Sequence, residues 1–311
     1  MEKKATRESY GAALAALGEK YDFYVLDADL AAATKTSMFA KKFPERFFDC
    51  GIAEGNMIST AAGIAAAGKS VFASSFAMFA AGRAFEQIRN SIGYPHLNVK
   101  IGATHAGITV GEDGATHQCN EDIALMRTIP GMVILNPADD VEATAAVEAA
   151  LLYEGPVYLR FGRYAVPIIN GEGYKFEIGK GVTLREGKDV TLVATGLMVH
   201  LALEAAEMLE KEGISARVLN IHTIKPLDDA LLIKAAKETG AIVTAEEHSV
   251  IGGLGSAVAE TTSAVCPVPV LRVGVEDTYG RSGTVPALLE AYGLTAKSIY
   301  EKAKAALALK K

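Results

Sequence analysis

Short apolar runs rich in β-branched residues alternate with helical patterns along almost the whole chain. The run "DFYVLDAD" (22–29) precedes the alanine-rich pattern "EGNMISTAAGIAAAG" (54–68), and "KSVFASS" (69–75) precedes "MFAAGRAFEQIRNSI" (78–92). Because strand–helix–strand units close as right-handed crossovers, this alternation predicts mostly parallel sheets with helices on both faces. The predicted fold class is α/β, with doubly wound sheets.

The alternation lapses once, between residues 164 and 189. This interval contains five glycines and one proline and shows no helical period, which is typical of a connecting segment. We therefore expect a first domain at 1–165, a linker at 166–188 that can hold a hairpin, and a second α/β domain at 189–311 that ends in helices.

Composition narrows the class of protein. The chain has 311 residues, half of them hydrophobic, and a net charge of −6 with no long basic run, which argues against nucleic-acid binding. Three cysteines without a CxxC pair fit a reducing compartment. The N-terminus reads as an amphipathic helix rather than a signal peptide, and no apolar stretch is long enough to span a bilayer. The expected location is the cytoplasm, away from membranes.

Functional candidates follow the predicted strands, where ligands bind in doubly wound sheets. Glu54 lies in "FFDCGIAEGNM" (47–57) at the start of a helix, where an acid stabilises the helix dipole. Alternatively, an apolar pocket raises its pKa and lets it exchange a proton. Phe76 and Phe79 are either core residues or a platform that, with Glu54, brackets a flat heteroaromatic ring.

The segment "GATHAGITVGEDGATHQCNED" (102–122) concentrates glycines and ionisable residues. His105, Asp113 and His117 are its candidates for ligand contact. Two histidines and a carboxylate can also form a metal site, but these spacings do not match one helix face. Cys119 is a further candidate as a nucleophile, although no orienting base is evident beside it.

Arginines occur at the end of a later strand, in "VYLRFGRYAVP" (157–167). Arg160 and Arg163 are candidates for binding phosphate or carboxylate, since the guanidinium fork matches both anions; as surface charges they would need no such role. In the second domain, "IGGLGSA" (251–257) lacks the full spacing of a dinucleotide turn. It predicts close packing at a helix start.

The order of these motifs, continued by "IPGMVILNPAD" (129–139), resembles the thiamine diphosphate enzymes of the transketolase superfamily. "GEDGATHQ" (111–118) is the most specific element and is similar to transketolase itself. The resemblance covers the whole chain and implies a pyrimidine-binding domain followed by a transketolase C-terminal domain. It corresponds to roughly the C-terminal half of a full-length transketolase.

The other half of such an enzyme holds the cofactor's diphosphate through a metal ion bound by a Gly-Asp-Gly motif and a later Asn. Here "EDG" (112–114) and Asn136 differ in residue type and spacing, so we expect no metal ligands in this chain. The resemblance thus implies a separate N-terminal subunit that carries the diphosphate domain and ligates most of the Mg²⁺ or Ca²⁺. It also implies self-association, as an α2β2 heterotetramer.

The resemblance assigns cofactor contacts residue by residue. Glu54 matches the family glutamate that hydrogen-bonds the ring nitrogen of the aminopyrimidine and promotes its imino tautomer. Phe79, with Phe76 beside it, matches the aromatic residues that pack against the pyrimidine. Asp29 is similar to a family aspartate near the cofactor. The cofactor supplies the carbanion chemistry, and the protein supplies orientation and proton transfer.

The resemblance also assigns substrate contacts. Asp113 would orient the donor's hydroxyl, and His117 would lie near the reacting carbon. His105 would lie near the acceptor phosphate, which Arg163 or Arg160 would hold. The implied reaction moves a two-carbon ketol unit from a ketose phosphate to an aldose phosphate.

Two departures leave alternatives open. Transketolases usually read Thr-His-Asp-Ser where this chain has "THAG" (104–107), and Arg-Glu-His where it has "AEGN" (53–56). The second feature is closer to deoxyxylulose-phosphate synthase and to the β subunits of 2-oxo acid dehydrogenases. Those β subunits lack "GEDGATHQ", and the synthase lacks the "TH" opening. A non-enzymatic assembly or regulatory subunit is the remaining alternative.

Overall fold

A computed structural model describes residues 2–171 and 173–310. Its strands form a seven-stranded sheet, a five-stranded sheet and a two-stranded ribbon. In chain order the strands are β1 Lys3–Ala5, β2 Phe23–Asp27, β3 Phe47–Asp49, β4 Ser70–Phe76, β5 Val99–Thr104, β6 Val133–Leu135, β7 Val157–Arg160, β8 Ala165–Pro167, β9 Val182–Arg185, β10 Val190–Ala194, β11 Ala216–Asn220, β12 Thr223–Lys225, β13 Ile242–Ser249 and β14 Val270–Val275.

Helices connect these strands. The α-helices are α1 Thr6–Leu17, α2 Ala31–Thr34, α3 Ser37–Lys42, α4 Glu54–Ala66, α5 Phe85–Gln87, α6 Asp122–Arg127, α7 Asp140–Leu152, α8 Met198–Glu210, α9 Asp229–Thr239, α10 Leu254–Val265, α11 Val285–Ala291 and α12 Ala296–Ala308. Short 3₁₀ turns cover Pro44–Arg46 and Ile108–Asp113. Within the described ranges, no helix combines the length and the apolar character needed to cross a bilayer.

The seven-stranded sheet has the order β12-β6-β7-β5-β4-β2-β3, and all neighbouring strands are parallel except β12 and β6. Helices cover both faces. Phe23, Val25 and Phe72 pack with α1, α3 and α7, whereas Leu26 and Ala73 pack with α4. Because the strands are parallel, the segments after β3, β4, β5 and β7 all emerge at one edge.

The five-stranded sheet has the order β14-β13-β10-β11-β9, with β9 alone antiparallel to its neighbour. Leu192 and Val243 pack with α8 and α12. Val193 and Ile242 belong to a core cluster that includes α9 and α10 and continues to Met57 of α4. The two sheets therefore share continuous apolar packing, and the predicted doubly wound α/β fold class is confirmed.

Two short strands, β8 and β9, overlap the interval 166–188 that the sequence predicts as a linker. Strand β8 pairs with β1 near the N-terminus, and β9 pairs with β11 in the second sheet. The predicted hairpin is therefore wrong, because each strand of this interval finds a partner far away in sequence. Strand β12 likewise crosses to the first sheet, where Thr223 is paired with Leu135.

Candidate active site

The carboxylate of Glu54 is buried at the start of α4. The residue is 1% exposed, and the preceding Ala53 has extended φ and provides no side-chain cap. Arg83 donates from Nη1 to both carboxylate oxygens, at 3.1 and 2.9 Å. A buried carboxylate needs such a charged partner. The Arg83 side chain is itself 55% exposed, so solvent reaches the outer side of this pair.

Two aromatic rings lie next to the Glu54–Arg83 pair. The Arg83 guanidinium lies 4.8 Å from the centroid of the Phe79 ring, and Phe79 stacks on Phe76 at 5.8 Å with 15° between the planes. Sequence periodicity predicts an α-helix here. Instead, π-helical turns cover Met78–Arg83 and Ile88–Gly93 on either side of α5, as is frequent at functional sites.

The histidines of the glycine-rich segment meet these aromatics. The His105 ring stacks on Phe76 with centroids 3.8 Å apart, and His117 meets the Phe79 ring edge-on at 5.3 Å. His117 also lies within 3.0 Å of the Thr116 hydroxyl through Nδ1. The structure thus brings Glu54, both phenylalanines and both histidines into one group, which we call the aromatic cluster.

His105 is held in an unusual environment. Its φ is +56°, a left-handed conformation that costs energy for a residue with a Cβ. Its Nδ1 lies 2.9 Å from the Thr104 hydroxyl, and its Nε2 lies 3.3 Å from Nη1 of Arg7. Burial, reinforced by the charges of Arg7 and Arg163, lowers the pKa of His105 to about 3. The imidazole is therefore neutral at physiological pH.

Arg7 is a site residue that sequence analysis missed. It lies in the first turn of α1, where it resembles any exposed charge on an amphipathic helix. In the structure its Nη1 donates to the Ala33 carbonyl at 2.9 Å, and its buried Nε has no partner in the described structure. Its proximity to His105 arises from a contact between residues 98 positions apart, which no local pattern reveals.

The two candidate arginines occupy different environments. Arg160 is 3% exposed, and its Nε donates to Asp122 at 2.8 Å while Nη2 donates to the Glu247 carbonyl at 2.9 Å. Arg163 is 37% exposed and donates to the Val110 carbonyl and, at 3.3 Å, to Glu112. The guanidinium of Arg160 is thus committed to internal partners, and Arg163 alone is available to an anion.

The remaining candidates lie at the periphery or inside the core. Asp113 and Asp29 are exposed, and the backbone N–H of Asp29 donates to Asp49 at 2.9 Å. The neighbouring Asp27 is buried instead and accepts from the Thr34 and Thr36 hydroxyls.

Cys119 is fully buried, and burial raises the pKa of its thiol well above the usual range. It therefore lacks the accessible thiolate of a nucleophile.

Predicted packing of the glycine run in the second domain is confirmed. Glu246 accepts from the backbone N–H groups of Leu254 and Gly255, at 2.7 and 2.8 Å. A Cβ at Gly253 would lie 2.0 Å from a Glu246 oxygen.

The side chain of Asn136 donates to the Thr195 hydroxyl. Across residues 2–171 and 173–310, no three His, Cys, Asp or Glu side chains gather in a group suited to a metal ion.

This arrangement defines a class of site. A buried carboxylate beside stacked aromatic rings suits the polar edge and the faces of a heteroaromatic group. A neutral imidazole flanked by Arg7 and Arg163 suits an anion. Both parts lie where the chain leaves parallel strands, which is the ligand-binding edge of a doubly wound sheet. The protein is thus an α/β protein whose candidate site is suited to a ligand that combines a flat ring and negative charge.

Comparison with known proteins supplies the family. Residues 2–168 match the family model "Transketolase, pyrimidine binding domain", and residues 179–299 match "Transketolase, C-terminal domain". The chain belongs to the transketolase family.

Two relatives span almost the same length. The chain is 53% identical over 303 residues to the "Putative transketolase C-terminal section" of Methanocaldococcus jannaschii, covering 96% of this chain and 95% of the relative. It is 47% identical over 304 residues to a 6-deoxy-6-sulfo-D-fructose transketolase subunit of a Clostridium species, covering 97% and 94%. The predicted resemblance to a split transketolase's C-terminal subunit is confirmed by these matches.

A solved structure agrees. The chain superimposes with a TM-score of 0.92 and 56% identity, over 100% of both chains, on a structure described as "Split gene transketolase, inactive beta4 tetramer".

Proposed function

We propose that this chain is the C-terminal subunit of a split transketolase and that, with an N-terminal subunit, it transfers a two-carbon ketol unit from a ketose phosphate to an aldose phosphate. The observation that carries this proposal is the contact of Glu54, through Arg83, with Phe79 and the aromatic cluster. Relatives of the same length whose names describe a C-terminal section and a subunit support the division of the enzyme between two chains.

The residues present fit the heterocycle of thiamine diphosphate. Glu54 is a buried carboxylate whose partner, Arg83, is exposed enough to turn toward solvent. The half-buried Phe79 presents an aromatic surface beside it. When bound, the cofactor supplies the carbanion chemistry. Glu54 then holds a proton at the ring nitrogen of the aminopyrimidine, Phe79 and Phe76 orient the ring, and Asp29 lies at the border of this region.

The substrate end of the site uses the histidines and an arginine. We assign the acceptor phosphate to Arg163 and place His105 beside it, where the neutral imidazole accepts from Arg7 through Nε2. Arg7 joins this set because it faces the same imidazole. His117 is assigned to the reacting carbon, and the exposed Asp113 to the donor's hydroxyl.

The N-terminal subunit is proposed to hold the cofactor's diphosphate and its Mg²⁺ or Ca²⁺. This division follows the family pattern, in which the diphosphate motif precedes the pyrimidine domain, and the name "split gene" of the superimposed structure supports it. The expected assembly is an α2β2 heterotetramer. The β4 description of that structure is consistent with self-association of this kind of chain.

The test is Glu54→Gln, with Glu54→Ala as a second variant, each in complex with the N-terminal subunit. Losing a positioned proton-transfer group typically costs ~10²–10⁴-fold in rate, so we expect ketol transfer to fall by about that factor while size-exclusion chromatography shows an intact complex. Glu45→Gln, at an exposed carboxylate, is the matched control. Full turnover by the Glu54 variants would refute the role of Glu54 and favour an assembly subunit.

Activity assays with a panel of donor substrates distinguish the possible reaction classes. A ketose phosphate donor tests transketolase activity directly. Pyruvate as the preferred donor would instead indicate deoxyxylulose-phosphate synthesis, and a requirement for a lipoyl acceptor would indicate a dehydrogenase β subunit. Because one relative is named for 6-deoxy-6-sulfo-D-fructose, the panel includes a sulfonated ketose beside the phosphorylated ones.

A further inference from the structure

The backbone around Thr104 and His105 is fixed where strand β5 ends. Thr104 is paired with Phe76 in the parallel sheet, and the N–H of Ala106 donates to the Phe161 carbonyl at 3.2 Å. Between these two anchors His105 has a φ of +56°. Its ring is stacked on Phe76 with the centroids 3.8 Å apart. The backbone and the plane of the imidazole are therefore both constrained.

Hydrogen-bond chemistry determines which nitrogen of His105 carries the proton. Nε2 lies 3.3 Å from Nη1 of Arg7, and a guanidinium donates hydrogen bonds but accepts none. Nε2 must therefore be the bare nitrogen that accepts. In a neutral imidazole the other nitrogen then carries the hydrogen, so Nδ1 donates to the Thr104 hydroxyl oxygen at 2.9 Å.

The surroundings of His105 disfavour its imidazolium form. Burial, followed by the charges of Arg7, Arg163, His117 and Lys35, lowers the pKa of His105 to about 3. Each of these side chains repels a second proton on the ring. The ring therefore keeps the lone pair of Nε2, which a protonated imidazole could not offer to Arg7.

The guanidinium of Arg7 is held on one side by two protein acceptors. Its Nη1 donates to the Ala33 carbonyl at 2.9 Å as well as to His105. Ala33 lies in α2, whose last residue, Thr34, donates from its hydroxyl to the buried Asp27 at 2.7 Å. Both N–H groups of Nη1 are thus used by fixed acceptors, whereas Nη2 donates to none of the described residues. Nη2 remains for a ligand.

We infer that Thr104 and His105 are positioning residues for an anion-binding arginine. Thr104 fixes His105 as the Nδ1–H tautomer, the bare Nε2 holds Nη1 of Arg7, and Nη2 of Arg7 binds the substrate phosphate. His105 acts through Arg7 and does not itself touch the phosphate. That the anion is a sugar phosphate rests on the proposed function, whereas the tautomer is a property of this chain alone.

Imidazole ¹⁵N NMR of the full chain tests the tautomer without a cofactor or a partner subunit. The signal of His105 is the one that is missing from His105→Asn. We expect a protonated Nδ1 and a bare Nε2 that persist from about pH 7 to about pH 5, because the ring takes up a second proton only at lower pH. A protonated Nε2 in the wild-type chain, or an imidazolium at about pH 6, would overturn the inference.

Substitutions at Thr104 test its part in fixing the tautomer. Thr104→Val keeps the β-branched shape but removes the acceptor, so the ring should shift toward the Nε2–H tautomer. Thr104→Ser keeps a hydroxyl and should retain the wild-type tautomer. The matched control is Thr244→Val in β13, since Thr244 is also buried in a strand and its hydroxyl has no partner in the described structure. A wild-type tautomer in Thr104→Val would contradict the role of Thr104.

Steady-state kinetics of the complex with the N-terminal subunit test the consequence for the substrate. Thr104→Val should raise KM for a phosphorylated aldose about tenfold or more, because a charge-assisted contact is misplaced. The kcat, and KM for an unphosphorylated aldose, should stay near the wild-type values, as should all parameters of Thr104→Ser and Thr244→Val.

Equal losses of Thr104→Val with phosphorylated and unphosphorylated aldoses would indicate a general structural defect and overturn the positioning role. Absence of ketol transfer by the wild-type complex would count against the proposed function, and the NMR spectrum of the isolated chain would still decide the tautomer. Circular dichroism verifies that each variant is folded.

Discussion

At the scale of single residues, burial separates two arginines that stand three positions apart. Arg160 ends strand β7 and pairs inside the protein with Asp122, which also accepts from the Tyr158 hydroxyl at 2.9 Å. Arg163 follows the strand and reaches the surface near Glu112. Removing one member of a buried ion pair leaves the other charge uncompensated, whereas an exposed pair contributes little to stability.

We therefore predict opposite outcomes for two substitutions. Arg160→Gln should lower the free energy of unfolding by ~3–5 kcal/mol, because Asp122 remains buried without its partner. Arg163→Gln should change stability by no more than ~0.5 kcal/mol but raise KM for phosphorylated sugars about tenfold or more. Urea unfolding and steady-state kinetics of the complex measure both effects. An unchanged KM would remove Arg163 from the proposed phosphate site.

The neutral state of His105 predicts a pH dependence. In the unfolded chain its pKa is near ~6.5, and in the folded chain it is about 3. Between these values the unfolded chain binds a proton that the folded chain does not, so folding stability falls as pH falls below about 6.5.

From about pH 7 to about pH 5, His105 should account for about 2 kcal/mol of lost stability. His105→Asn should remove that part of the loss, as measured by urea unfolding at each pH. Parallel pH profiles for the wild type and the variant would show that His105 is protonated in the folded state.

At the scale of elements, the start of helix α7 anchors the connection between the two sheets. Asp139 caps α7 by accepting from the Glu142 N–H at 2.9 Å. Its other oxygen accepts from the backbone N–H groups of Ile169 and Asn170, at 2.8 and 2.7 Å. Glu142 accepts from Asn220 of β11 at 2.8 Å. The N-terminus of α7 therefore contacts both the segment after β8 and strand β11 of the second sheet.

Asp139→Ala should lower the free energy of unfolding by about 3 kcal/mol, because it removes a helix cap and leaves two backbone donors without their acceptor. Asp140→Ala is the control. Asp140 is the next residue and forms a half-buried pair with Lys4, so its loss should cost about 1 kcal/mol. Thermal and urea unfolding compare the two. Equal losses would mean that Asp139 does not anchor the connection.

At the scale of the whole molecule, the proposed division of the enzyme predicts that the chain alone is incomplete. Calorimetric titration of the purified chain with thiamine diphosphate and Mg²⁺ should show no tight binding, and turnover should be absent. Adding the N-terminal subunit should produce both, because that subunit is proposed to hold the charged end of the cofactor. Tight, Mg²⁺-dependent binding by the isolated chain would contradict the split-enzyme proposal.

Sequence patterns predicted the fold class well because they report local properties. The strand runs, the alanine-rich helix that begins at Glu54 and the helices of the second domain appear where the patterns place them. The wider turns at Met78–Arg83 escaped prediction, because apolar periodicity does not distinguish π-helical from α-helical bonding. The pairings of β8 and β9 also escaped, since their partners lie far away in sequence.

By itself, the sequence determined the alternation of strands and helices and the edge of the sheet at which the candidate residues emerge, since strand direction and crossover handedness follow from local chirality. Only the tertiary structure decided which ionisable groups meet. Glu54 with Arg83, His105 with Arg7 and Arg160 with Asp122 join residues 29, 98 and 38 positions apart. Such pairs depend on how the elements pack, and packing also determines which arginine is buried and which stays free for a ligand.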